Sequence, residues 1–383
     1  MKDFNNFKID KYLGDGILST VKPNYDSNFT KFYVYDILSS SSEYQKIFKD
    51  LDGIFNSIKT LDSNYQYDLY SFEDKTISNG LPCAEKRKYI LKIASHTSDC
   101  PLENEYNNLK TLNRRNPLLA PIPILYDVVN DDIEDISMLV ISFEYGDSFN
   151  EYSIIELEHN IKTIANNLSL LHEDTMSLAT TQEISKFNTK LSEISNYESN
   201  LSSDEYAELS NTTMYAVLLP FIDSLKTTIS SELNALNSNK ICLCHCNLYP
   251  SRILYRQELV KFINFQDSLY LDLYYDIALF LFTNGMYDTS LGDTFINQYY
   301  TSYPSVESDL NTFKTKLTSY YPVCYKIILL KIISLYTYEF LIYGAERKGI
   351  YYRYAKSYES MRGLISADYP DYLSSLDRLF INF

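Results

Sequence analysis

The feature that most constrains the fold is a change in the spacing of apolar residues near Gly146. Before this point, short runs rich in aromatic and β-branched residues predict strands at Tyr67–Phe72, Tyr89–Ala94 and Ser137–Phe143. After it, apolar residues recur at intervals of three and four, as in Ile154–His172, which predicts a mainly helical part. A sheet-rich part followed by a helix-rich part indicates an α+β fold with two lobes.

This pattern predicts how the chain is divided. Residues 1–60 are expected to form an N-terminal extension, 61–145 the sheet-rich lobe, and 146–383 the helix-rich lobe. Within the extension, aromatic and β-branched residues predict a strand at Lys31–Leu38. The apolar spacing from Tyr44 to Phe55 predicts a helix that follows it.

The helix-rich lobe contains one exception to its helical pattern. Two short apolar runs, Ile241–His245 and Val260–Phe265, lie between helical segments such as Asp204–Leu236 and Ile277–Asn284. They are expected to be strands that form one small pair inside this lobe.

Charge and composition exclude several classes of protein. The chain has 34 Lys and Arg against 50 Asp and Glu, a net charge of −16, which disfavours a general affinity for nucleic acid. The apolar run Val323–Tyr343 is interrupted by charged residues, so it predicts a buried helix and no membrane span. The N-terminal residues lack the apolar core of a signal peptide, and the six cysteines lack the spacing of a disulfide framework. A cytoplasmic location is therefore expected.

The most informative stretch lies within residues 241–278. It reads LCHCNLYPSRIL from Leu243, FINFQD from Phe262 and DIA from Asp276. In order and spacing these motifs resemble the catalytic segment of the aminoglycoside phosphotransferase and choline kinase family, which reads LxHGDLHPGN(I/L)L, then VIDFxD, then DLA. The resemblance implies a protein-kinase-like fold. It also implies a loop Asp that accepts the hydroxyl proton, followed by an Asn and an Asp that hold magnesium on ATP.

The chain departs from this family pattern at all three chemical positions. Asn247 stands in place of the base, Arg252 in place of the metal-binding Asn, and Asn264 in place of the magnesium-binding Asp. The neighbouring Asp267 and the downstream Asp276 are kept. The resemblance gives Asp276 a structural role, since it implies a hydrogen bond to the backbone of the catalytic loop.

Each departure has a chemical consequence. A carboxamide takes up no proton near neutral pH, and general-base catalysis contributes roughly 10²- to 10⁴-fold, so Asn247 predicts severely weakened transfer. Asn264 lacks the negative charge that magnesium prefers beside phosphate, and Arg252 places a permanent cation at a metal position. These changes argue against the binding of magnesium at this site. Arg252 is expected to replace the metal by pairing directly with phosphate oxygens.

The N-terminal half resembles the same family at its nucleotide-binding positions. Lys92 matches the strand lysine that contacts ATP phosphates, and Glu105 matches its helical partner, with Glu103 as the alternative. Glu144 and Tyr145 fall near the adenine position of the hinge. For the phosphate-covering loop, Gly14-Asp15-Gly16 and Asn79-Gly80 both remain candidates.

Two histidines have structural interpretations. His245 is expected to order the catalytic loop, and His172, at the end of a helix, to serve as a packing residue. Alternation along the strand points Cys242 and Cys244 one way and His245 the other, which argues against a zinc site.

Together these features predict a pseudokinase. It would bind ATP, a related nucleotide or a phosphorylated small molecule, or serve as a scaffold for a protein partner. The alternative is a divergent ATP-dependent phosphotransferase with Asp267 as metal ligand, acting on a hydroxyl of an aminoglycoside, sugar or choline-like amino alcohol. A loose transition state would let positioning and charge sustain slow transfer without a base.

Overall fold

The computed structural model describes residues 27–48, 51–63, 67–78, 81–96, 100–130, 135–148, 154–176, 178–179, 181–195, 213–235, 240–256, 259–343 and 348–380. Within them the chain forms two compact units. Unit 1 comprises Met1–Asp147 with Arg252–Ser268, and unit 2 comprises Ser148–Ser251 with Leu269–Phe383. No helix in the described part of the chain is long and apolar enough to cross a membrane.

The regular elements are numbered here in chain order. The helices are α1 Ser27–Ser40, α2 Ser42–Ile47, α3 Leu51–Ser57, α4 Pro101–Arg115, α5 Ile154–Thr175, α6 Ile184–Ser195, α7 Thr213–Ala235, α8 Leu273–Thr283, α9 Ser290–Ser302, α10 Leu310–Tyr343, α11 Lys348–Asp368 and α12 Pro370–Phe380. The strands are β1 Lys59–Ser63, β2 Asp68–Ser78, β3 Leu81–Ser95, β4 Pro123–Asn130, β5 Asp135–Ser142, β6 Asp147–Ser148, β7 Ile241–Cys244, β8 Ile253–Arg256, β9 Leu259–Phe262 and β10 Leu269–Asp272.

Unit 1 is built on a five-stranded antiparallel sheet with the order β1-β2-β3-β5-β4. Lys92 in β3 is paired with Leu69 in β2 and with Leu139 in β5. Directly opposite residues of an antiparallel pair share a face, so these three side chains lie on one side of the sheet. Helix α4 packs against β4 and β5.

Helices α1, α2 and α3 form a hydrophobic core with one face of the sheet. This face is the one opposite to that of the Lys92 side chain. The shared core includes Phe48 from the helical segment and Phe72, Leu91 and Val140 from the strands. The ring of Phe48 lies 5.4 Å from that of Phe72 and 5.1 Å from that of Tyr89. The described part of the N-terminal extension, from residue 27 onward, is therefore an integral part of unit 1, because it covers a sheet face that would otherwise expose apolar side chains to water.

The strand predicted at Lys31–Leu38 is wrong, since these residues belong to helix α1. Val34, Ile37 and Leu38 are buried at the spacing of one helical face, whereas Phe32 is 58% exposed. The helix predicted from Tyr44 to Phe55 is present as two short helices, α2 and α3.

Unit 2 is organised around helix α8, of which every residue is buried. A helix that is apolar on all sides is buried on all sides. Helix α10 packs on it, and α5 packs on α9. The two short strands predicted in this lobe do not pair with each other: β7 pairs with β10, whereas β9 pairs with β8.

The close packing around Gly292, in helix α9, can be tested by substitution. A Cβ atom on Gly292 would lie 2.1 Å from the backbone oxygen of Met286, and that backbone is held by a hydrogen bond from Met286 N to Leu281 O. Gly292→Ala is therefore expected to lower the free energy of unfolding by about 1–3 kcal/mol. Gly363, in helix α11, has no atom within 4 Å of a Cβ, so Gly363→Ala should stabilise by about 0.5–1 kcal/mol. Urea unfolding of both variants checks the pair, and equal effects would contradict this packing.

Candidate functional site

Lys92 is the centre of the site in unit 1. Its ammonium lies 3.0 and 2.7 Å from the two carboxylate oxygens of Glu105 in α4, and only 1% of Lys92 and none of Glu105 is exposed. The ring of Tyr67 lies 4.6 Å from the ammonium on another side, a cation–π geometry. The alternative partner Glu103 is exposed. The structure thus places Glu105 and not Glu103 against the strand lysine.

Asn264, which follows β9, also contacts Lys92. Its side-chain oxygen accepts a hydrogen bond of 2.8 Å from the Lys92 ammonium. The backbone of Asn264 is left-handed, with φ 66°, a conformation that Asn tolerates better than most residues. The amide keeps the hydrogen bond that an aspartate would make, but it brings no negative charge to the lysine.

Arg252 and Asp267 form an ion pair in the same unit. Arg252 Nη1 lies 3.5 Å from Asp267 Oδ2, and Arg252 is 1% exposed whereas the Asp267 side chain is 19% exposed. A hydrogen bond from Ile263 N to Arg252 O, 3.0 Å long, fixes the ends of the β8–β9 hairpin together. Of the two positions that the family pattern gives to metal ligands, that of Arg252 is therefore held by a cation, which is paired with the neighbouring Asp267 carboxylate.

Helix α4 positions the turn that carries Asp267. Asn104 Nδ2 donates to Gln266 O at 2.8 Å, and Asn108 Nδ2 donates to Phe265 O at 3.3 Å and to Ser268 O at 3.3 Å. These two amides are one helical turn apart, so they lie on one face of α4. The helix that presents Glu105 to Lys92 thereby also orients the Asp267 turn.

The donor set in unit 1 does not fit a magnesium ion. Magnesium binds through hard, anionic oxygen ligands beside phosphate. Of the two carboxylates here, that of Glu105 forms an ion pair with Lys92, and that of Asp267 forms one with Arg252. The side-chain oxygen of Asn264 accepts a hydrogen bond from Lys92. A bound ion would have to share this space with two cations.

The predicted hinge residues lie at the end of β5. Glu144 accepts a hydrogen bond from Ser142 Oγ at 2.5 Å and pairs with Lys261 in β9 at 2.8 Å. Tyr145 is 60% exposed, and its ring lies 4.8 Å from that of Phe143. The Glu144 carboxylate therefore holds the hinge to β9. A nucleotide contact by Tyr145 stays a prediction.

Both candidate segments for the phosphate-covering loop, Gly14-Asp15-Gly16 and Asn79-Gly80, lie outside the described residues. Tyr67 is a residue near Lys92 that sequence reasoning missed. No motif marks it, because its contact with the ammonium comes from the strand register, in which Leu69 lies opposite Lys92.

Unit 2 holds the loop that resembles a catalytic loop, and Asp276 orders it. The Asp276 carboxylate accepts hydrogen bonds from the backbone N–H groups of His245 and Cys246, both 2.8 Å, and from His172 Nε2 at 3.1 Å. Burial alone would raise the pKa of Asp276, but the hydrogen bond and charge of His172, with the charge of His245, hold it below its ordinary value. The predicted packing role of His172 is thus extended, since it also donates to Asp276 and lies 2.8 Å from the Tyr299 hydroxyl.

His245 and Asn247 are both buried in this loop. The backbone N–H of His245 holds the loop to Asp276, and an ordering role for the His245 side chain stays a prediction. Asn247 O accepts from Tyr249 N at 3.1 Å, and Asn284 Nδ2 donates to Leu248 O at 2.9 Å. The loop therefore has a fixed backbone, but it presents a carboxamide at the position of the base.

Cys246 occupies the position that is glycine in the family motif, and its backbone is left-handed, with φ 62°. A side chain in this conformation costs roughly 1–2 kcal/mol, which glycine does not incur. Cys246→Gly is therefore expected to be about 1 kcal/mol more stable than Cys246→Ala, because both variants lose the sulfur and only alanine keeps the strain. Chemical denaturation of the two variants measures this difference, and a more stable alanine variant would contradict it.

One group of buried residues in the described part of the chain brings possible metal ligands close together. His172, Cys242 and Cys244 have ligand atoms within 4.8 Å of one another. Burial raises the pKa of the Cys242 and Cys244 thiols, and both ring nitrogens of His172 already bond to Asp276 and Tyr299. Zinc requires thiolates and a ring nitrogen with a lone pair available, so this donor set does not suit it.

The sheet with its buried Lys–Glu pair in unit 1, and the loop held by a buried aspartate in unit 2, are features of kinase-like proteins. The model of the choline/ethanolamine kinase family matches residues 78–338. The chain therefore belongs to the choline/ethanolamine kinase family.

Comparison with solved structures agrees with this fold. Amicoumacin kinase hAmiN, solved with AMP-PNP, Ca²⁺ and Ami, is similar with a TM-score of 0.56 at 13% identity, covering 85% of this chain and 95% of that one. Choline kinase from Cryptosporidium parvum Iowa II (TM-score 0.49, 14% identity, covering 92% and 100%) and spectinomycin phosphotransferase APH(9)-Ia with ADP and spectinomycin (0.48, 15%, 79% and 87%) are also similar. A comparison with curated proteins finds no match. The predicted family and the predicted two-lobed α+β kinase-like fold are confirmed.

Proposed function

We propose that this protein is a pseudokinase of its family, which binds ATP or a related nucleotide in unit 1 without magnesium and has lost phosphoryl transfer. The observation that carries the proposal is the Arg252–Asp267 pair. It places a permanent cation, 3.5 Å from the one acidic residue of the FINFQD motif, where the family pattern has metal ligands. The AMP-PNP in the structure of amicoumacin kinase supports the ligand class.

The length of the Arg252–Asp267 contact supports a role in phosphate binding. Strong charge-assisted hydrogen bonds are about 2.7–2.9 Å long. At 3.5 Å this pair is longer than that range, so the guanidinium can also receive a phosphate group that offers two oxygens in its plane while Asp267 stays beside it. Lys92, held in place by Glu105 and Asn264, would supply the second positive charge.

The loss of transfer rests on Asn247 and Asn264. Neither carboxamide accepts a proton near neutral pH or carries the charge that would retain a metal. The alternative activity, slow transfer to the hydroxyl of an aminoglycoside, sugar or choline-like amino alcohol, would need Asp267 as metal ligand. Its pairing with Arg252 argues against that.

Restoring the family residues tests the proposal. The triple variant Asn247→Asp, Asn264→Asp, Arg252→Asn is expected to gain magnesium-dependent ATP hydrolysis that the natural chain lacks. The matched control is the same triple variant with Lys92→Met, which should be inactive. Magnesium-dependent transfer by the natural chain would overturn the pseudokinase proposal in favour of the alternative. If neither protein binds ATP, the remaining interpretation is a scaffold for a protein partner.

A further inference from the structure

The ammonium of Lys92, which the proposed function assigns to phosphate binding, is enclosed by the protein. An ammonium has three N–H donors. The two carboxylate oxygens of Glu105 lie 3.0 and 2.7 Å from it, and the amide oxygen of Asn264 lies 2.8 Å from it. The ring of Tyr67 is 4.6 Å from the same ammonium. Only 1% of Lys92 is exposed, so a phosphate group reaches the ammonium only if one of these contacts changes.

Tyr67 is itself buried in unit 1. It is 6% exposed, although it lies directly before strand β2, which begins at Asp68. In β2, Leu69 is opposite Lys92, and side chains two residues apart in an extended chain share a face. The chain therefore brings Tyr67 to the Lys92 side of the sheet, where its ring takes up space next to the ammonium.

The contact with Tyr67 is the one that a nucleotide can most readily replace. Glu105 carries the counter-charge of the ammonium. The residue after Asn264, Phe265, is held by α4, because its carbonyl oxygen accepts a hydrogen bond of 3.3 Å from Asn108. The ring of Tyr67 carries no charge. A phosphate group offers the ammonium a negative charge and charge-assisted hydrogen bonds, which are stronger than the attraction of a cation to an aromatic ring.

The position of Tyr67 in the chain lets it move without breaking the sheet. The pairs of β2 with β1 and with β3 begin at Asp68, which is opposite Ser63 and Ile93. Strand β1 lies at the edge of the five-stranded sheet. A displacement of Tyr67 would therefore leave intact the strand pairs that hold Lys92.

We propose that Tyr67 is an autoinhibitory contact of the nucleotide site, whose ring covers the Lys92 ammonium and must withdraw for the phosphates of ATP to bind. The inference rests on the proposed function, because that function brings ATP to Lys92. The affinity for ATP is then the difference between the phosphate contact that is gained and the ring contact that is lost. The natural chain therefore binds ATP more weakly than its two cations alone would allow.

Calorimetric titration of the full chain with ATP in EDTA tests this contact. Tyr67→Ala is expected to bind ATP roughly 2- to 30-fold more tightly than the natural protein, because the ring no longer competes for the ammonium. Tyr67→Phe keeps a ring over the ammonium and should bind ATP as the natural protein does. Tyr70→Ala is the matched control. It removes a tyrosine of similar burial, 5% exposed, from the opposite face of β2 and should leave the affinity unchanged.

A second readout follows the ring directly. The chain has no tryptophan, so Tyr67→Trp places a single indole beside the Lys92 ammonium. Addition of ATP should shift the emission of this variant to longer wavelength and increase its quenching by acrylamide, because the indole moves from the protein into water. An emission that stays unchanged while calorimetry detects ATP binding to this variant would overturn the inference.

The outcomes separate this inference from the proposed function. If the natural protein and Tyr67→Ala bind ATP equally well, the inference is overturned and the proposed function stands. If only Tyr67→Ala binds ATP, the inference stands, and the ring keeps ATP out of the natural chain. If neither binds ATP, both the inference and the proposed function are overturned. Should Tyr67→Ala fail to fold, the emission of Tyr67→Trp decides.

Discussion

Glu105→Gln is expected to lower the free energy of unfolding by roughly 3–5 kcal/mol, because it leaves the ammonium of Lys92 buried without its counter-charge. Both partners of this pair are almost completely buried, and the ammonium contacts both carboxylate oxygens. The neutral amide of Asn264 cannot compensate, since it supplies a hydrogen bond but no charge. Urea unfolding of the variant measures the effect.

Two variants control this expectation. The double variant Lys92→Met, Glu105→Leu removes both charges and should be much less destabilised than Glu105→Gln, since apolar side chains of similar size often replace a buried pair at little cost. Glu158→Gln removes the partner of Lys162 from an exposed pair on α5 and should cost less than about 1 kcal/mol. A Glu105→Gln variant as stable as Glu158→Gln would show that the buried pair is not formed.

Arg252→Met is expected to weaken ATP binding by about 10- to 100-fold. A hydrogen bond to a charged group contributes roughly 1.5–3 kcal/mol, and each 1.4 kcal/mol is tenfold in affinity. Methionine fills much of the space of the arginine but carries no charge, so the buried position is not left empty. Calorimetric titration with ATP measures the change.

The control for this variant is Arg114→Ala, which removes an exposed arginine from the last turn of α4 in the same unit. It should leave ATP binding unchanged. Arg252→Lys keeps a cation but loses the planar fork, and an intermediate affinity is expected. If Arg252→Met binds ATP as tightly as the natural protein, the guanidinium does not contact the phosphates.

The sequence predicted those parts of the structure that depend on local spacing. Glu105 could be preferred over Glu103 because it shares a helical face with Leu109 and Leu112, and all three are buried in α4. Lys92 could be placed on a strand because Tyr89–Ala94 is rich in aromatic and β-branched residues. In the extension, the prediction from composition was wrong. Its aromatic and β-branched residues suggested a strand, although Val34, Ile37 and Leu38 have the spacing of one helical face.

Contacts between distant parts of the chain could not be predicted. Lys92 and Asn264 are 172 residues apart, and their hydrogen bond depends on how the β8–β9 hairpin packs within unit 1. The Arg252–Asp267 pair depends on the same hairpin, because its two residues flank the paired strands. The family motifs identified these positions in the sequence. Only the fold shows that Lys92 pairs with Glu105 and that Arg252 pairs with Asp267.

The most direct test of the central claim is calorimetric titration of the natural protein with ATP, once in EDTA and once in excess magnesium. If Arg252 takes the place of the metal, ATP binds in EDTA with the same affinity as in magnesium. Binding that occurs only with magnesium would contradict the claim, because Asp267 would then have to leave Arg252 and serve as a metal ligand.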